Sequence, residues 1–223
     1  MSITQNLKQV KETLPGHVTL VAVSKTKPNE DILEAYEAGQ RIFGENKIQE
    51  MTEKYEALPK DIEWHMIGHV QRNKVKYMAP YVSLIHGVDS FKLLKEINKQ
   101  AKNNNRVINC LLQVFIAQEE TKFGLDQNEL DDIFSSEEFE ALENVKIVGL
   151  MGMATFTDDQ EEVKREFTSL KETFDHCKMY YNEMDNVELQ TVSMGMSNDY
   201  PIAIECGSTM VRIGSNIFGS RNY

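Results

Sequence analysis

A lysine directly after a short apolar segment is the first residue in this chain that could do chemistry. Residues 18–23, VTLVAV, are apolar or β-branched, and Lys25 follows after a single serine. In an extended strand Lys25 shares parity with Val21 and Val23, which predicts that its side chain lies on the face of two branched hydrophobic residues. Loss of hydration disfavours the charged ammonium, and the neutral amine then condenses with an aldehyde or ketone. The alternative is that the side chain extends past the strand end into water.

A second lysine competes for that role. Lys27 lies beyond Thr26 and beside Pro28, where the sequence predicts a loop rather than a strand end. Its amine has the same chemistry as that of Lys25, so position alone favours Lys25.

Two clusters of serine and glycine occur where the last two strands are expected to end. Ser193 begins the sequence SMG, and Gly214 and Ser215 begin the sequence GSN. Glycine permits close backbone approach, and serine hydroxyls add hydrogen-bond donors. In eight-stranded α/β barrels, phosphate commonly binds to the loops after strands seven and eight and to the N-terminus of a short extra helix. Each cluster alone also fits an ordinary turn, so it is their joint position that predicts a phosphate site.

Other reactive residues in the sequence do not form a recognised site. The segment HMIGH, residues 65–69, has two histidines four residues apart, but it lacks the glutamate of a zinc-protease motif, and Gly68 interrupts a helix. Glu45 follows the second strand and is either an acid–base group or an acceptor that orients a neighbour. We find no arrangement of serine, histidine and aspartate, and we expect neither a metal nor a catalytic residue.

Alternating strand and helix patterns must position these residues. Segments rich in valine, isoleucine and aromatic residues predict eight strands, at about 18–24, 41–44, 62–67, 82–86, 107–116, 145–150, 187–192 and 209–213. Amphipathic patterns predict a first helix over 4–14 and further helices over 29–39, 46–58, 90–104, 128–136 and 161–184.

This alternation predicts a parallel sheet with helices outside it, built as one domain over residues 1–223. Closed on itself, the sheet is a (β/α)₈ TIM barrel with an extra N-terminal helix. The alternative is an open doubly wound sheet, which predicts a GxGxxG fingerprint after the first strand. The sequence has no such fingerprint, and we therefore expect the barrel.

Composition excludes several classes of partner. Lys+Arg 24 against Asp+Glu 35 gives a formal net charge of −11 and a pI near 5.0, which opposes binding to nucleic acid or to an anionic membrane surface. The N-terminus lacks the apolar core of a signal peptide, and no apolar run is long enough to cross a bilayer. Cys110, Cys177 and Cys206 have no CxxC spacing and are expected as free thiols. We expect a soluble cytoplasmic protein.

A lysine that forms an imine beside a phosphate site indicates pyridoxal 5′-phosphate (PLP), and the sequence closely resembles the pyridoxal-phosphate homeostasis protein family. This family contains single-barrel relatives of the N-terminal domain of alanine racemases, and the resemblance implies a fold-type III PLP barrel. It covers nearly the whole chain, through VAVSKTKP, FGENKIQE, WHMIGHVQRNK, TKFG, GLMGM and SMGMSNDYPIAIECGSTMVRIGSNIFG.

The resemblance also implies roles for individual residues. Lys25 would carry the internal aldimine, and Arg212 would face the pyridine nitrogen. The other cofactor-binding residues that it implies are Ser193, Gly214 and Ser215 at the phosphate, Ser208 and Thr209 nearby, and Asn46 and His65 along the ring pocket. The sequence departs from the common family pattern at Ile116, where asparagine is frequent, and at Met66, which replaces an aromatic residue.

Three functions are consistent with these residues. The family resemblance favours a protein of vitamin B6 homeostasis that holds PLP and delivers it to apo-enzymes, without robust turnover. A PLP-dependent racemase or decarboxylase is the second, although such relatives carry a second domain and this chain ends at Tyr223. The third is an aldolase-type enzyme whose lysine forms an imine with a sugar phosphate. The absence of a second domain favours a monomer, and a weak racemase-like activity remains open.

Overall fold

Eight parallel strands close into a barrel in chain order, within residues 2–117 and 123–219, which the computed structural model describes. Each strand pairs with the next, and β8 pairs with β1 to close the sheet. The strands are β1 (Thr19–Val23), β2 (Ile42–Glu45), β3 (Glu63–Met66), β4 (Leu84–Val88), β5 (Ile108–Gln113), β6 (Val145–Met151), β7 (Val187–Met196) and β8 (Met210–Ile213). The predicted barrel and all eight predicted strands are confirmed.

Helices pack on the outside of the barrel; one precedes β1, one follows β8, and the others lie between successive strands. They are α1 (Ile3–Thr13), α2 (Asn29–Glu37), α3 (Ile48–Ala57), α4 (Val75–Met78), α5 (Phe91–Asn103), α6 (Gln127–Phe134), α7 (Glu137–Glu140), α8 (Gln160–Tyr181), α9 (Tyr200–Glu205) and α10 (Ser215–Phe218), with a 3₁₀ turn at Arg72–Lys74. The six predicted helices are α1, α2, α3, α5, α6 and α8. The sequence did not predict α4, α7, α9 and α10, because helices of four to six residues are too short to show a 3.6-residue period.

The N-terminal helix α1 supports the end of the chain that carries the last two strands. It begins with a capping box, in which the Ser2 side chain accepts from the Gln5 backbone and the Gln5 side chain accepts from the Ser2 backbone. Its Leu7 and Val10 are buried. Asn6 Nδ2 donates to Ile217 O of α10 at 3.0 Å. The first helix therefore holds α10 against the barrel.

The barrel interior is filled by side chains that alternate along each strand. Residues from β1, β4, β5, β6 and β8 form a compact apolar cluster of Val21, Leu84, Leu111, Val148, Met151 and Met210, and an irregularity in the pairing of β6 with β7 accompanies the change of parity between Val148 and Met151. Their neighbours along the strands belong to the larger core between the sheet and the helices, for example Ala22, Ile85 and Val211. The barrel is a packed core on both faces of its sheet.

On four strands, polar side chains also point into the barrel interior. His65 of β3, His86 of β4, Ser193 of β7 and Arg212 of β8 are all at most 4% exposed. His65 Nδ1 lies 3.0 Å from His86 Nε2, His86 Nδ1 lies 3.0 Å from Ser193 Oγ, and Arg212 Nη1 donates to Ser193 Oγ at 2.7 Å. Burial lowers the pKa of His65 to about 3 and lowers that of His86 well below its ordinary value. Both imidazoles are therefore neutral at physiological pH.

The buried histidines predict how stability depends on pH. On unfolding, His65 regains an ordinary pKa near about 6.5 and binds a proton that the folded barrel does not accept until about pH 3. The unfolded state binds more protons within this window, so the free energy of unfolding falls as pH falls below about 6.5. Each such histidine contributes a slope of up to about 1.4 kcal/mol per pH unit. The free energy of unfolding in urea, measured at several pH values between about pH 7 and pH 5, gives this slope.

The variant His65→Gln tests this prediction. His17→Gln is its matched control, because the His17 side chain is exposed. Removing the His65 imidazole lowers the stability at pH 7, since a buried contact is lost, but it should also flatten the pH slope. The His17 variant should keep the wild-type slope. A His65→Gln protein whose slope equals that of the wild type would contradict the assignment.

Candidate functional site

A cleft of about 440 Å³ lies at the carboxyl ends of the barrel strands, where active sites of this architecture occur. Residues that follow most of the strands line it, and they combine cationic, hydroxyl and apolar groups. The described lining consists of Val23, Lys25, Lys27, Asn46, Ile67, Gly68, His69, Gln113, Phe123, Met153, Phe156, Met196, Ser197, Asn198, Asp199, Arg212, Gly214, Ser215 and Gly219.

Lys25 lies in the turn that follows β1, and its half-buried side chain lines the cleft. Val21 lies in the apolar barrel interior, and Val23 lines the cleft beside Lys25. The predicted parity is therefore confirmed. The turn closes with a hydrogen bond from Lys27 N to Ser24 O at 3.0 Å. Lys25 reaches the cleft at the point where the strand ends and the chain turns away.

Lys27 also lines the cleft, so the structure keeps both lysines near the same space. Its backbone lies in a loop, as predicted. Lys27 Nζ donates to Phe218 O at 2.9 Å, which directs this ammonium towards the end of α10. Lys27 is therefore held by a main-chain carbonyl at the end of α10.

Arg212 is a buried cation whose guanidinium faces neutral acceptors. Nη1 donates to Ser193 O at 2.8 Å and to Ser193 Oγ at 2.7 Å, and Nη2 donates to Gly152 O at 3.2 Å. Burial lowers the pKa of Arg212 to about 10, while the Asp199 carboxylate acts in the opposite direction. The arginine therefore stays charged at neutral pH and lines the cleft as a fixed positive group.

The loops after β7 and β8 meet at one side of the cleft. Gly214 N donates to Ser197 Oγ at 3.2 Å, and Asn216 Nδ2 donates to Ser197 O at 3.2 Å. A Cβ atom added to Gly214 would lie 3.1 Å from Val23 O, so a glycine lets this loop approach the end of β1 closely. Ser197, Gly214 and Ser215 all line the cleft. The hydroxyls of Ser197 and Ser215 and the main-chain N–H of Ser215 form a set of donors for an anion, while the Gly214 N–H joins the two loops through Ser197 Oγ.

Asn46 supplies an acceptor that the protein leaves unused. Its Oδ1 atom is buried and has no hydrogen-bond partner among the described residues, and the side chain lines the cleft. A Cβ atom at Gly68 would lie 2.5 Å from Asn46 O, so a glycine there is needed for Asn46 to take this place. A buried orphan acceptor is costly unless a ligand pairs with it. Asn46 is therefore suited to a ligand that presents a donor.

Five of the nine predicted binding residues come together at the cleft, and four do not line it. Those at the cleft are Lys25, Asn46, Arg212, Gly214 and Ser215. His65 and Ser193 lie in the buried polar chain of the barrel interior. Ser208 Oγ donates to Met194 O at 2.7 Å, and Thr209 Oγ1 accepts from Val192 N at 2.9 Å. The hydroxyls of these two residues brace β7 against the start of β8.

The length of β7 explains why Ser193 does not reach the loop. The sequence predicted that this strand ends at residue 192, but it continues to Met196. Ser193 is therefore a strand residue whose side chain points into the barrel, and the loop residue at the cleft is Ser197. The atypical positions Ile116 and Met66 also lie outside the described lining. Thr121 and Lys122 of the TKFG motif lie outside the described residues.

Several cleft residues were not predicted from the sequence. Ser197 lies in the same motif as Ser193, and a correct strand end would have indicated it. Gln113 ends β5, and its Nε2 donates to Phe123 O at 2.7 Å, which holds the chain beyond β5 near the cleft. His69 also lines the cleft, where the sequence did not predict it. Its ring stacks on Phe123 with centroids 4.4 Å apart, and its Nδ1 lies 3.0 Å from Asp89 Oδ2.

Residues 2–117 and 123–219 offer neither a membrane span nor a cluster of metal ligands. These ranges contain no helix with the length and apolar character that a membrane span requires. They also contain no group of three or more histidine, cysteine, aspartate or glutamate residues placed to hold a metal ion.

Comparison with known proteins identifies the family to which this chain belongs. The family model for the alanine racemase N-terminal domain matches residues 1–222. The pyridoxal phosphate homeostasis protein of Aquifex aeolicus is 44% identical over 92% of this chain and 87% of its own, and that of Haemophilus influenzae is 41% identical over 100% of this chain and 98% of its own.

Solved structures give the same relationship. PipY of Synechococcus elongatus, solved with PLP bound, is 33% identical, with a TM-score of 0.87 over 98% of this chain and all of that one. An alanine racemase of Clostridium difficile is 14% identical with a TM-score of 0.74, and this chain covers 56% of it, which shows a shared fold alone. The chain therefore belongs to the alanine racemase N-terminal domain family and, within it, to the pyridoxal phosphate homeostasis proteins.

Proposed function

We propose that this protein holds PLP in the cleft through an imine with Lys25 and releases it to apo-enzymes, without useful turnover of amino acids. The meeting of Lys25 and Arg212 in one cleft with the loops after β7 and β8 supports this function most directly. Its relatives are named as PLP homeostasis proteins, and PipY was solved with PLP. The apo-enzymes that would receive PLP are the expected partners.

The residues present fit the three polar parts of PLP. Ser197 and Ser215 offer hydroxyl donors, and Ser215 a main-chain donor, to a phosphate, and Gly214 between them leaves room for its close approach. Arg212 offers a charged N–H donor, which suits an unprotonated pyridine nitrogen. Asn46 Oδ1 offers an unused acceptor along the cleft wall. We assign the phosphate to Ser197, Gly214 and Ser215, and we assign Ser193 to the support of Arg212, because its hydroxyl accepts from Nη1.

Lys25 would supply the covalent link. PLP brings an aldehyde, whose carbon joins Lys25 Nζ in a C=N bond while the carbonyl oxygen leaves as one molecule of water. The reverse reaction with water, or exchange with another amine, returns the aldehyde or passes it on. Nothing is oxidised or reduced in either direction, so the same cleft serves for loading and for release.

Arg212 favours holding over turnover. Amino-acid chemistry on PLP is strongest when the ring nitrogen is protonated and draws electrons from the substrate carbon. A guanidinium with a pKa of about 10 gives up its proton poorly at neutral pH, so the ring nitrogen beside it stays neutral. The racemase-like fold alone therefore does not make an enzyme of this chain.

The proposed setting is a reducing compartment, the cytoplasm, with the protein as a monomer. Cys110, Cys177 and Cys206 are free thiols in the structure, and burial raises the pKa of Cys177 to about 12, which keeps that thiol unreactive.

Borohydride reduction tests the imine. Protein incubated with PLP and then reduced should carry one pyridoxyl group on Lys25, because this amine lines the cleft beside the phosphate loops. Lys25→Ala should lose the label and the visible absorption of the imine. The mutant should keep its far-ultraviolet circular dichroism, since the loss of a half-buried cation does not remove core packing.

Lys27→Ala is the matched control for that experiment, because Lys27 lines the same cleft but donates to Phe218 O. It should retain the label on Lys25. Peptide mapping by mass spectrometry distinguishes the two lysines. A pyridoxyl label on Lys27 in the wild-type protein would refute the assignment of the imine to Lys25. An imine that forms with a sugar phosphate, and therefore shows no visible absorption, would refute the assignment of the ligand.

The phosphate loops predict a preference for PLP over pyridoxal. Pyridoxal should bind much more weakly, because several charge-assisted hydrogen bonds are lost together. Ser215→Ala should weaken PLP binding by about 0.5–1.5 kcal/mol, the net value of one hydrogen bond, and leave pyridoxal binding unchanged. Titration followed by absorbance or fluorescence gives both constants. An equal loss for the two ligands would place the phosphate elsewhere.

Amino-acid turnover should be slow. Holo-protein incubated with a panel of L-amino acids in deuterated water should exchange the α-proton well below about 1 s⁻¹, the lower range of enzyme turnover, because Arg212 leaves the ring nitrogen neutral. In parallel, the holo-protein should restore activity to an apo-enzyme. Exchange at enzyme-like rates would overturn the carrier function in favour of a racemase or decarboxylase.

A further inference from the structure

A buried charged cluster lies directly behind the turn that carries Lys25. Lys54 of α3 is 5% exposed, and its ammonium has three acceptors: Ser24 O at 2.8 Å, Glu45 Oε1 at 2.8 Å and Glu50 Oε1 at 2.7 Å. An ammonium has three N–H donors, so this set uses all of them. We call Lys54, Glu45 and Glu50 the Lys54 cluster, and none of the three lines the cleft described above.

The cluster holds the residue before Lys25 at several atoms. Ser24 is fully buried; its carbonyl accepts from Lys54 Nζ, and its hydroxyl donates to Glu45 Oε1 at 2.6 Å. Its N–H donates to Gly44 O of β2 at 3.0 Å. Main chain and side chain of Ser24 are thus both fixed, and the direction in which the chain leaves β1 is fixed with them.

The cluster also holds the residue after Lys25. Thr26 N donates to Glu50 Oε1 at 2.6 Å. Thr26 has a φ of 64°, the left-handed region that glycine normally supplies at the third position of a type II turn and that a β-branched residue rarely adopts. Such a conformation persists only where its surroundings determine it. Glu50 provides that constraint at the Thr26 amide.

Stability alone does not explain this arrangement. Buried ion pairs are often replaced by apolar residues with no loss of stability, because removing charges from water is costly. Desolvation raises the pKa of Glu45 even though Lys54 and Ser24 act in the opposite direction, and Glu45 Oε2 has no partner among the described residues. Among the described residues, the side-chain hydrogen bonds that leave the cluster end on Ser24 and Thr26, the two neighbours of Lys25.

We propose that Lys54, Glu45 and Glu50 are positioning residues that fix the Lys25 turn, so that the Lys25 amine meets the aldehyde of bound PLP in a reactive geometry. This inference rests on the function proposed above. The three residues act on Lys25 through its neighbours, and they contact neither the ring nor the phosphate site. Loosening the cluster should therefore impair imine formation while the contacts to the rest of the ligand persist.

The test separates covalent from non-covalent binding. Imine formation with PLP is followed by stopped-flow absorbance and by borohydride trapping, and pyridoxine 5′-phosphate, which has an alcohol in place of the aldehyde, reports the non-covalent affinity. Lys54→Met and Glu50→Ala should slow imine formation on the order of 10- to 100-fold, the range that a misplacement of about 1 Å produces. The affinity for pyridoxine 5′-phosphate should not change.

Two further variants control the experiment. Glu50→Gln keeps an oxygen that accepts from Thr26 N, so it should restore most of the rate that Glu50→Ala loses. Lys8→Met removes a lysine of similar helical spacing from the exposed pair with Glu12, and it should behave as the wild type. If Lys54→Met does not fold, the two substitutions at Glu50, whose side chain is 24% exposed, still give the comparison.

The outcomes are distinct. A wild-type rate of imine formation in Glu50→Ala would overturn the positioning role. An equal loss of affinity for PLP and for pyridoxine 5′-phosphate would also overturn it, because such a result indicates a general loosening of the cleft. Failure of Glu50→Gln to recover the rate would also count against it. A wild-type protein that forms no reducible adduct at Lys25 would overturn the proposed function itself, and this inference with it.

Discussion

The pairing of β8 with β1 is the contact on which the cleft depends. It joins segments almost two hundred residues apart in the sequence, with Val21 opposite Arg212 and Ala22 opposite Ile213. This register brings the loop of Gly214 against the end of β1. The approach is so close that a Cβ atom added to Gly214 would lie 3.1 Å from Val23 O. The lysine from the start of the chain and the donors from its end share one cleft because the sheet closes.

Closure also places the buried polar chain in the barrel interior, and this chain determines how Arg212 is presented. Its guanidinium donates to Ser193 O, Ser193 Oγ and Gly152 O, and all three acceptors are neutral. Two neutral histidines extend the network behind Ser193. A buried cation held by neutral groups keeps its positive field for an anionic ligand, whereas a paired carboxylate would cancel much of it.

Much of the fold could be predicted from the sequence, because periodicity reports burial. Alternation in β1 placed Lys25 on the interior parity with Val21 and Val23, and the structure has it there. Amphipathic spacing predicted the long helices in the same way. The four short helices carry too few residues to show a period. A strand end is set by pairing with its neighbours, so the extra residues of β7 could not be read from composition.

The same limit applies to the site. Ser193 was expected in a loop and is a buried strand residue, whereas Ser197 four residues later lies at the cleft. Lys54 has the sequence signature of a solvated helix face, since it stands among Glu50, Glu53 and Glu56. Its burial arises from the approach of α3 to the turn after β1, a tertiary contact that no local pattern of α3 encodes. Positioning residues of this kind become visible only in three dimensions.

A carrier must bind tightly enough to sequester its ligand and still release it, and the distribution of exposure over the cleft fits both needs. Arg212 is buried, Lys25 and Gly214 are half-buried, and Ser215 is exposed. Interactions at the buried end gain strength from low dielectric, while those at the exposed end exchange readily with water. On the proposed function, the covalent bond supplies retention and the open phosphate end supplies a route for departure. The rigid turn at Lys25 then serves reversibility as well as capture, because an amine held in one geometry lowers the barrier for forming and for breaking the same bond.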